Sequence, residues 1–228
     1  MFANLGNRHE EADIVARERP ELLMFCGLVG LIGNVMPVVT IFWGWSVTDH
    51  AFVADTISDL ARGDNKWIMD LGFYFHAAGL LALAIAAAHA HLGRAGWSVG
   101  IFCLAFLALD VVLLGLWDEF GASAQPGDGM SVHTKLSFVL GPLFLLGPLV
   151  MVPGVAGLSR TYAALFVGAA ASWAVFATGF KLAPDGIDGL LEKIAVVGAM
   201  GWTLPLSFLY LARGYEKSHR VAGRAEAG

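Results

Sequence analysis

Six long apolar stretches constrain the fold of this chain more than any other feature of its sequence. Each is close to the roughly 20 helical residues, at about 1.5 Å each, that cross the hydrocarbon core of a bilayer. Uninterrupted apolar runs with Gly and Pro inside them favour helices over the short alternating strands of a membrane barrel. The predicted spans are Leu22–Trp45, Ile68–Leu92, Trp97–Trp117, Val132–Val152, Tyr162–Phe180 and Leu190–Ala212.

The composition of the chain agrees with a membrane protein. Of its 228 residues 57% are hydrophobic and 14% are charged, where soluble proteins average about 25% charged residues. So little charge cannot cover a water-soluble surface, and the net charge of -5 argues against nucleic acid as a partner. The sequence therefore predicts an all-α polytopic membrane protein, a six-helix transmembrane bundle whose surroundings are the lipid bilayer.

The distribution of basic residues predicts the orientation of the bundle. If both termini lie on one side, that side carries nine of the 14 Lys and Arg residues, and the other side carries five. The positive-inside rule then places both termini in the cytoplasm and the protein in the cytoplasmic membrane. The predicted organisation is a cytoplasmic tail over 1–20, a six-helix domain over 21–213 and a second cytoplasmic tail over 214–228.

The longest outward loop, Ser46–Trp67, carries a helical pattern of its own. Its apolar residues recur at helical spacing, and a glycine follows them as a stop signal. We therefore expect a short interfacial helix in this loop. The residues that form the pattern are Val53, Ile57, Leu60 and Ala61, with Gly63 after them.

Two ionisable residues lie deep in the outer halves of the predicted spans. Asp110 precedes Trp117 by seven residues, about 10 Å below the outer interface, and His76 lies at a depth of about 12 Å in the second span. Because an ionisable group at mid-membrane costs roughly 2.5–3.5 kcal/mol, such residues usually have a partner or a function. We expect Asp110 and His76 to form the polar floor of an outward-facing pocket. A buried polar pair that only fixes helix register is an equally open interpretation.

Further polar residues lie at the predicted outer ends of the helices, and we expect them to form the rim of the same pocket. The outward connections are rich in acidic residues, which gives this face a negative potential. The histidines show no HxxxH or HExxH spacing, so no metal site is predicted, and the sequence specifies no cofactor. The predicted rim consists of Ser58, Asp59, Asp118, His133, Lys135, Glu192 and Lys193.

Several short elements of the chain carry a family resemblance. They are ISDL at Ile57–Leu60, a histidine that enters the fourth span at His133, and GLLEK at Gly189–Lys193. These elements resemble the domain of unknown function 998 family, which consists of prokaryotic polytopic membrane proteins. Many members have a Phe-Pro-x-Asp element after the third helix, where this chain has Leu116–Glu119. The resemblance implies an architecture with motif positions at the outer helix ends, and it implies no activity.

Three functions remain open from the sequence. The leading hypothesis is a protein that binds a lipid or small amphiphile in the outward pocket, or a structural or regulatory subunit that associates with other membrane proteins. The first alternative is a membrane-embedded lipid hydrolase, with Ser58 or Ser131 as the nucleophile. His76 or His133 would be its base and Asp110 would orient the base, although the chain has no GxSxG context. The second alternative is a proton-coupled transporter, although no internal repeat is visible.

Overall fold

A computed structural model of the chain confirms the predicted bundle of six membrane-spanning helices. It describes residues 18–93, 95–116, 131–184 and 186–226, and all regular structure within these ranges is helical. Six of the helices are long and apolar enough to cross a membrane. The helices are α1 (Pro20–Val47), α2 (Ile57–Leu60), α3 (Lys66–His89), α4 (Ala95–Leu116), α5 (Val132–Ala156), α6 (Arg160–Leu182) and α7 (Asp188–Glu226).

The six long helices form a closed ring. Helix α3 packs between α1 and α4, α5 packs between α4 and α6, and α7 closes the ring by packing on both α6 and α1. Neighbours in the ring run antiparallel where short connections join them. Helices α1, α4 and α6 finish at the same end of the ring, where α3, α5 and α7 begin. We call this end the loop end and the opposite end the terminus end. The short helix α2 lies at the loop end.

Glycines bring α1 against its two neighbours at backbone distance. A Cβ atom on Gly33 would overlap the carbonyl oxygen of Phe75 on α3, and a Cβ on Gly27 would lie 2.7 Å from the backbone nitrogen of Leu211 on α7. Close approach of this kind is how membrane helices associate, because lipid offers no hydrophobic driving force between them. Large side chains fill the interior toward the terminus end, among them the nearly inaccessible Trp97, Trp202 and Tyr210.

The largest departures from the helices expected from the sequence are in the last helix and the first outer loop. The last helix was expected at Leu190–Ala212 but runs from Asp188 to Glu226, so the predicted tail from residue 214 continues as helix. In the first outer loop the helix is confined to Ile57–Leu60, while Val53 lies in a turn and its carbonyl accepts a hydrogen bond from the Leu190 amide at 2.8 Å. This contact with α7 holds the chain before α2 in a non-helical path. The end of the third span at Trp117 lies outside the described residues.

An ion cluster at the terminus end ties the segment before α1 to α7. The carboxylate of Glu18 accepts two hydrogen bonds from the Arg213 guanidinium, at 2.6 and 3.0 Å, and one from Lys217 Nζ at 2.6 Å. Burial on its own would raise the pKa of Glu18, but hydrogen bonds and charge from Arg213 and Lys217 lower that pKa below its ordinary value of 4.5. Glu18 is therefore held as a carboxylate between two cations.

Candidate functional site

The ring of helices encloses a mainly apolar space near the loop end, which we call the inner cavity. Every one of the six spanning helices contributes to its wall. The inner cavity has a volume of about 100 Å³ and is separated from the terminus end by the packed interior described above. Its lining residues include Pro37, His76, Val111, Phe144, Trp173 and Thr203.

A second space, the lateral groove, lies between α5 and α6 on the outer surface of the ring, and α7 adds Glu192, Ala195 and Val196 to its wall. It has a volume of about 420 Å³, within the range of roughly 300–1,000 Å³ that is typical of small-molecule sites. Its wall is mainly apolar, and Phe138 and Leu182 in that wall are exposed, so the groove opens on the outer surface of the ring. Leu140, Trp173 and Val196 line both the groove and the inner cavity, so the two spaces adjoin.

The third space is a polar cleft at the loop end. Ser58, His133, Ser137 and Glu192 line the cleft and the inner cavity together, so the cleft lies directly above the cavity. Lys181 and Glu192 line the cleft and the lateral groove together. The three spaces thus form one site with a polar part at the loop end and an apolar part between the spanning helices.

The chain positions Ser58 through a rigid four-residue helix. Thr56 caps α2: its hydroxyl accepts from the Asp59 amide at 3.1 Å, and the Asp59 carboxylate accepts from the Thr56 amide at 2.7 Å, which forms a capping box. Helix α5 begins with a similar cap, in which the Ser131 hydroxyl accepts from the Thr134 amide. These two caps bring the Ser58 hydroxyl to 3.1 Å from Nε2 of His133, which is hydrogen-bond distance.

The start of α7 clamps the loop that carries α2. The Glu192 carboxylate accepts a hydrogen bond from the Ile57 amide at 2.5 Å. The Lys193 ammonium, which is buried, donates to the backbone carbonyls of Asp55 at 2.6 Å and Gly189 at 3.3 Å. Two stretches that carry the family resemblance, Ile57–Leu60 and Gly189–Lys193, are therefore in direct contact. Burial and the nearby Lys193 ammonium lower the pKa of His50 in the same loop below its ordinary value of 6.5.

His76 projects into the inner cavity from α3. Pro37 on α1 has no amide hydrogen, which leaves the Gly33 carbonyl without its helical donor, and the His76 ring interacts with this carbonyl. The ring stacks on Phe144 with centroids 6.5 Å apart. His76 Nδ1 and Thr203 Oγ1 have no hydrogen-bond partner among the described residues. His76 and Thr203 thus bring two buried polar atoms without a partner to the cavity wall, which is also polar at Ser58, His133, Ser137 and Glu192.

Some of the residues predicted for the pocket line one of the three spaces in the structure, and others do not. His76 of the predicted floor and Ser58, His133 and Glu192 of the predicted rim line the inner cavity, and Asp59 lines the polar cleft. Lys193 lines none of the three spaces, and its ammonium donates a hydrogen bond to the Asp55 carbonyl of the loop. Asp110 and Lys135 contribute to none of the three spaces, and Asp118 lies outside the described residues.

Asp110 does not line the inner cavity that His76 lines. It is only 4% exposed, its Oδ2 atom has no hydrogen-bond partner in the described part of the chain, and no ion pair or hydrogen bond there joins it to His76. Its neighbour Val111 lines the inner cavity in its place. The described residues also contain no group of three His, Cys, Asp or Glu side chains that could hold a metal ion.

Residues outside the predicted pocket complete the site. Lys181 borders both the groove and the cleft, and Trp173, Phe144 and Gly141 shape the apolar walls. For Lys181 a usable signal existed, since it is a basic residue at the loop end of a span, next to Phe180. The apolar wall residues carry no motif, because each is an ordinary residue of an apolar helix.

The fold and these spaces define a class, a polytopic helical membrane protein with six spanning helices. Residues 31–209 match the model of a family described as "Protein of unknown function (DUF998)". The chain belongs to this family, as its resemblance predicts. No curated protein and no solved structure matches the chain.

Proposed function

We propose that this protein binds an amphiphile taken from the surrounding bilayer. Its apolar chain would lie in the lateral groove and extend toward the inner cavity, and its polar head would lie at the polar cleft. The observation that supports this proposal best is the groove itself, a mainly apolar space of about 420 Å³ that opens on the outer surface of the ring and borders polar groups at one end. An amphiphile has the same division into a polar and an apolar part.

Gly141 on α5 offers a direct test, because it lines the groove and a Cβ atom built on it meets no atom within 4 Å. Gly141→Leu would therefore add a side chain to the groove wall at a position where its Cβ atom meets no neighbour. Displacing two or more methylene groups of a bound chain, at about 0.8 kcal/mol each, weakens binding about ten-fold or more. Gly168→Leu on α6 is the matched control, since its Cβ is equally unobstructed and it lines none of the three spaces.

The measurement is native mass spectrometry of the purified protein in a non-ionic detergent, titrated with oleate and with 1-monoolein. We expect saturable binding of one molecule of at least one of these amphiphiles, weakened by Gly141→Leu and unchanged by Gly168→Leu. The proposal fails if neither amphiphile binds saturably, or if the two variants behave alike.

The contact between Ser58 and His133 favours a second candidate function, hydrolysis of a lipid ester. At 3.1 Å, His133 Nε2 is placed to accept the Ser58 proton while Oγ attacks an ester carbonyl. His133 would then return the proton to the leaving alkoxide, and water would hydrolyse the acyl-serine with the same residue as base. The acyl chain of the ester would occupy the apolar part of the site.

A fluorophosphonate probe, which labels activated serines, tests this candidate. Labelling is expected at Ser58 and should disappear in Ser58→Ala and His133→Gln. Ser137→Ala is the control, because Ser137 lines the same spaces but donates its hydroxyl to the Thr134 carbonyl at 2.9 Å. Absence of labelling, or labelling that persists in Ser58→Ala, would eliminate the hydrolase and leave amphiphile binding standing.

A further inference from the structure

Lys181 stands where the lateral groove meets the polar cleft. It lies one residue before the end of α6 and is exposed, and it lines both spaces. Its ammonium lies 4.5 Å from the centroid of the Phe180 ring and 5.1 Å from that of Phe138. Aromatic faces attract a cation and hold it in place. The two rings therefore keep the ammonium at the mouth of the groove.

The polar contacts of Lys181 are weak. Within the described part of the chain its only hydrogen bond is to the Ser137 hydroxyl, at 3.4 Å, and no carboxylate lies within ion-pair distance. Other basic residues at this end are engaged differently. Lys66 pairs with Asp70 at 2.6 Å and Arg62 lies 3.4 Å from Asp59.

The acidic groups that line the cleft with Lys181 already have partners. Asp59 accepts from Thr56 and lies beside Arg62, Glu192 accepts from the Ile57 amide, and Asp188 accepts from the Gly186 amide at 3.1 Å. Lys181 therefore makes no ion pair among the described residues. Its charge acts on the Glu192 carboxylate only at longer range, and its ammonium stands at the entrance to an apolar groove. A positive charge in that position complements an anionic head group whose chain lies in the groove.

We infer that the ligand of this site is a single-chain anionic amphiphile, whose carboxylate or phosphate head pairs with Lys181 while its chain passes along the groove. This inference rests on the proposed amphiphile binding and adds the charge of the head group. The chain would pass Gly141 and Trp173 toward the inner cavity, since both residues line the path.

Three ligands with the same oleoyl chain separate the possibilities: oleate with a carboxylate, 1-oleoyl lysophosphatidic acid with a phosphate, and neutral 1-monoolein. Binding of each to the purified protein is measured by native mass spectrometry in a non-ionic detergent at fixed ionic strength. At least one anionic ligand should bind about two- to five-fold more tightly than monoolein, which is what one exposed ion pair contributes. The tighter of the two anionic ligands identifies the head group.

Lys181→Gln should reduce this preference to near unity, and Lys181→Arg should retain it. Lys135→Gln is the matched control, because Lys135 is an exposed lysine near the loop end of the adjoining helix α5 and lines none of the three spaces. The inference is overturned if monoolein binds as tightly as both anions, or if Lys181→Gln and Lys135→Gln have equal effects. In those cases amphiphile binding stands, whereas binding of none of the three ligands would remove both.

Discussion

Replacing Glu18 by Gln removes the charge at the centre of the terminus-end ion cluster while keeping the size of the side chain. The Glu18 side chain is 4% exposed, and its two oxygens lie 2.6 Å from Arg213 Nη2 and 2.6 Å from Lys217 Nζ. Removing one partner of a buried ion pair costs about 3–5 kcal/mol. Because the two cationic side chains are 23% and 20% exposed and can regain water, we expect a loss of about 2–3 kcal/mol for Glu18→Gln.

This loss should appear in thermal unfolding of the detergent-solubilised protein, followed by circular dichroism at one scan rate. At about 2–4 °C per kcal/mol for a chain of this size, the unfolding temperature should fall by about 5–10 °C. Glu21→Gln is the control, because Glu21 lies close by on the first turn of α1 and is exposed. It should shift the unfolding temperature by no more than about 2 °C.

The difference between wild type and Glu18→Gln should also depend on pH in a fixed direction. Since the pKa of Glu18 is lowered in the folded protein, its stabilising contribution is complete above the ordinary value of 4.5 and is lost as the pH falls through the lowered pKa. The gap in unfolding temperature should therefore be constant from neutral pH to about pH 5.5 and shrink below about pH 4.5. Equal effects of Glu18→Gln and Glu21→Gln, or a gap that does not shrink in acid, would refute the reasoning.

Two further predictions concern packing and the loop clamp. Gly33→Ala should destabilise the bundle by about 1–3 kcal/mol or more, because its Cβ meets the backbone of α3, whereas Gly168→Ala should be tolerated. Thermal unfolding compares the two variants, and equal stability would contradict the close approach of α1 and α3. Lys193→Met should leave the Asp55 carbonyl without its donor and speed amide hydrogen exchange over 51–60, while Lys135→Met should not change that exchange. Unchanged exchange in Lys193→Met would show that the ammonium does not hold the loop.

The sequence predicts the spans well because an apolar run of about 20 residues has few other stable structures. It predicts their ends less well, since hydropathy falls where a helix leaves the bilayer and not where the helix stops. Helix α7 shows this, because its apolar stretch closes near Ala212 while its backbone continues to Glu226. Val53 shows the opposite case, in which a helical spacing is overridden by a hydrogen bond to α7.

The site is only partly predictable for a related reason. The cost of burying an ionisable group singles out His76 and Asp110 as candidate site residues. Because adjacent residues on a helix point about 100° apart, the rotation of each helix decides which of them faces the cavity, and one sequence does not give that rotation. Val111 consequently lines the cavity where Asp110 does not. The groove depends on the spacing of three helices, α5, α6 and α7, so no single residue pattern predicts it.

The three prolines of α5 make this wall of the lateral groove different from the α6 wall in its backbone hydrogen bonds. Pro142, Pro148 and Pro153 supply no amide hydrogen, so the carbonyls four residues earlier lack their helical donors, beginning with Phe138 at the groove itself. Helix α6 opposite contains no proline and keeps its ladder of hydrogen bonds. Helix α5 therefore has fewer backbone hydrogen bonds than α6 to resist bending, and it lies across the ring from the close contacts of α1 with α3 and α7.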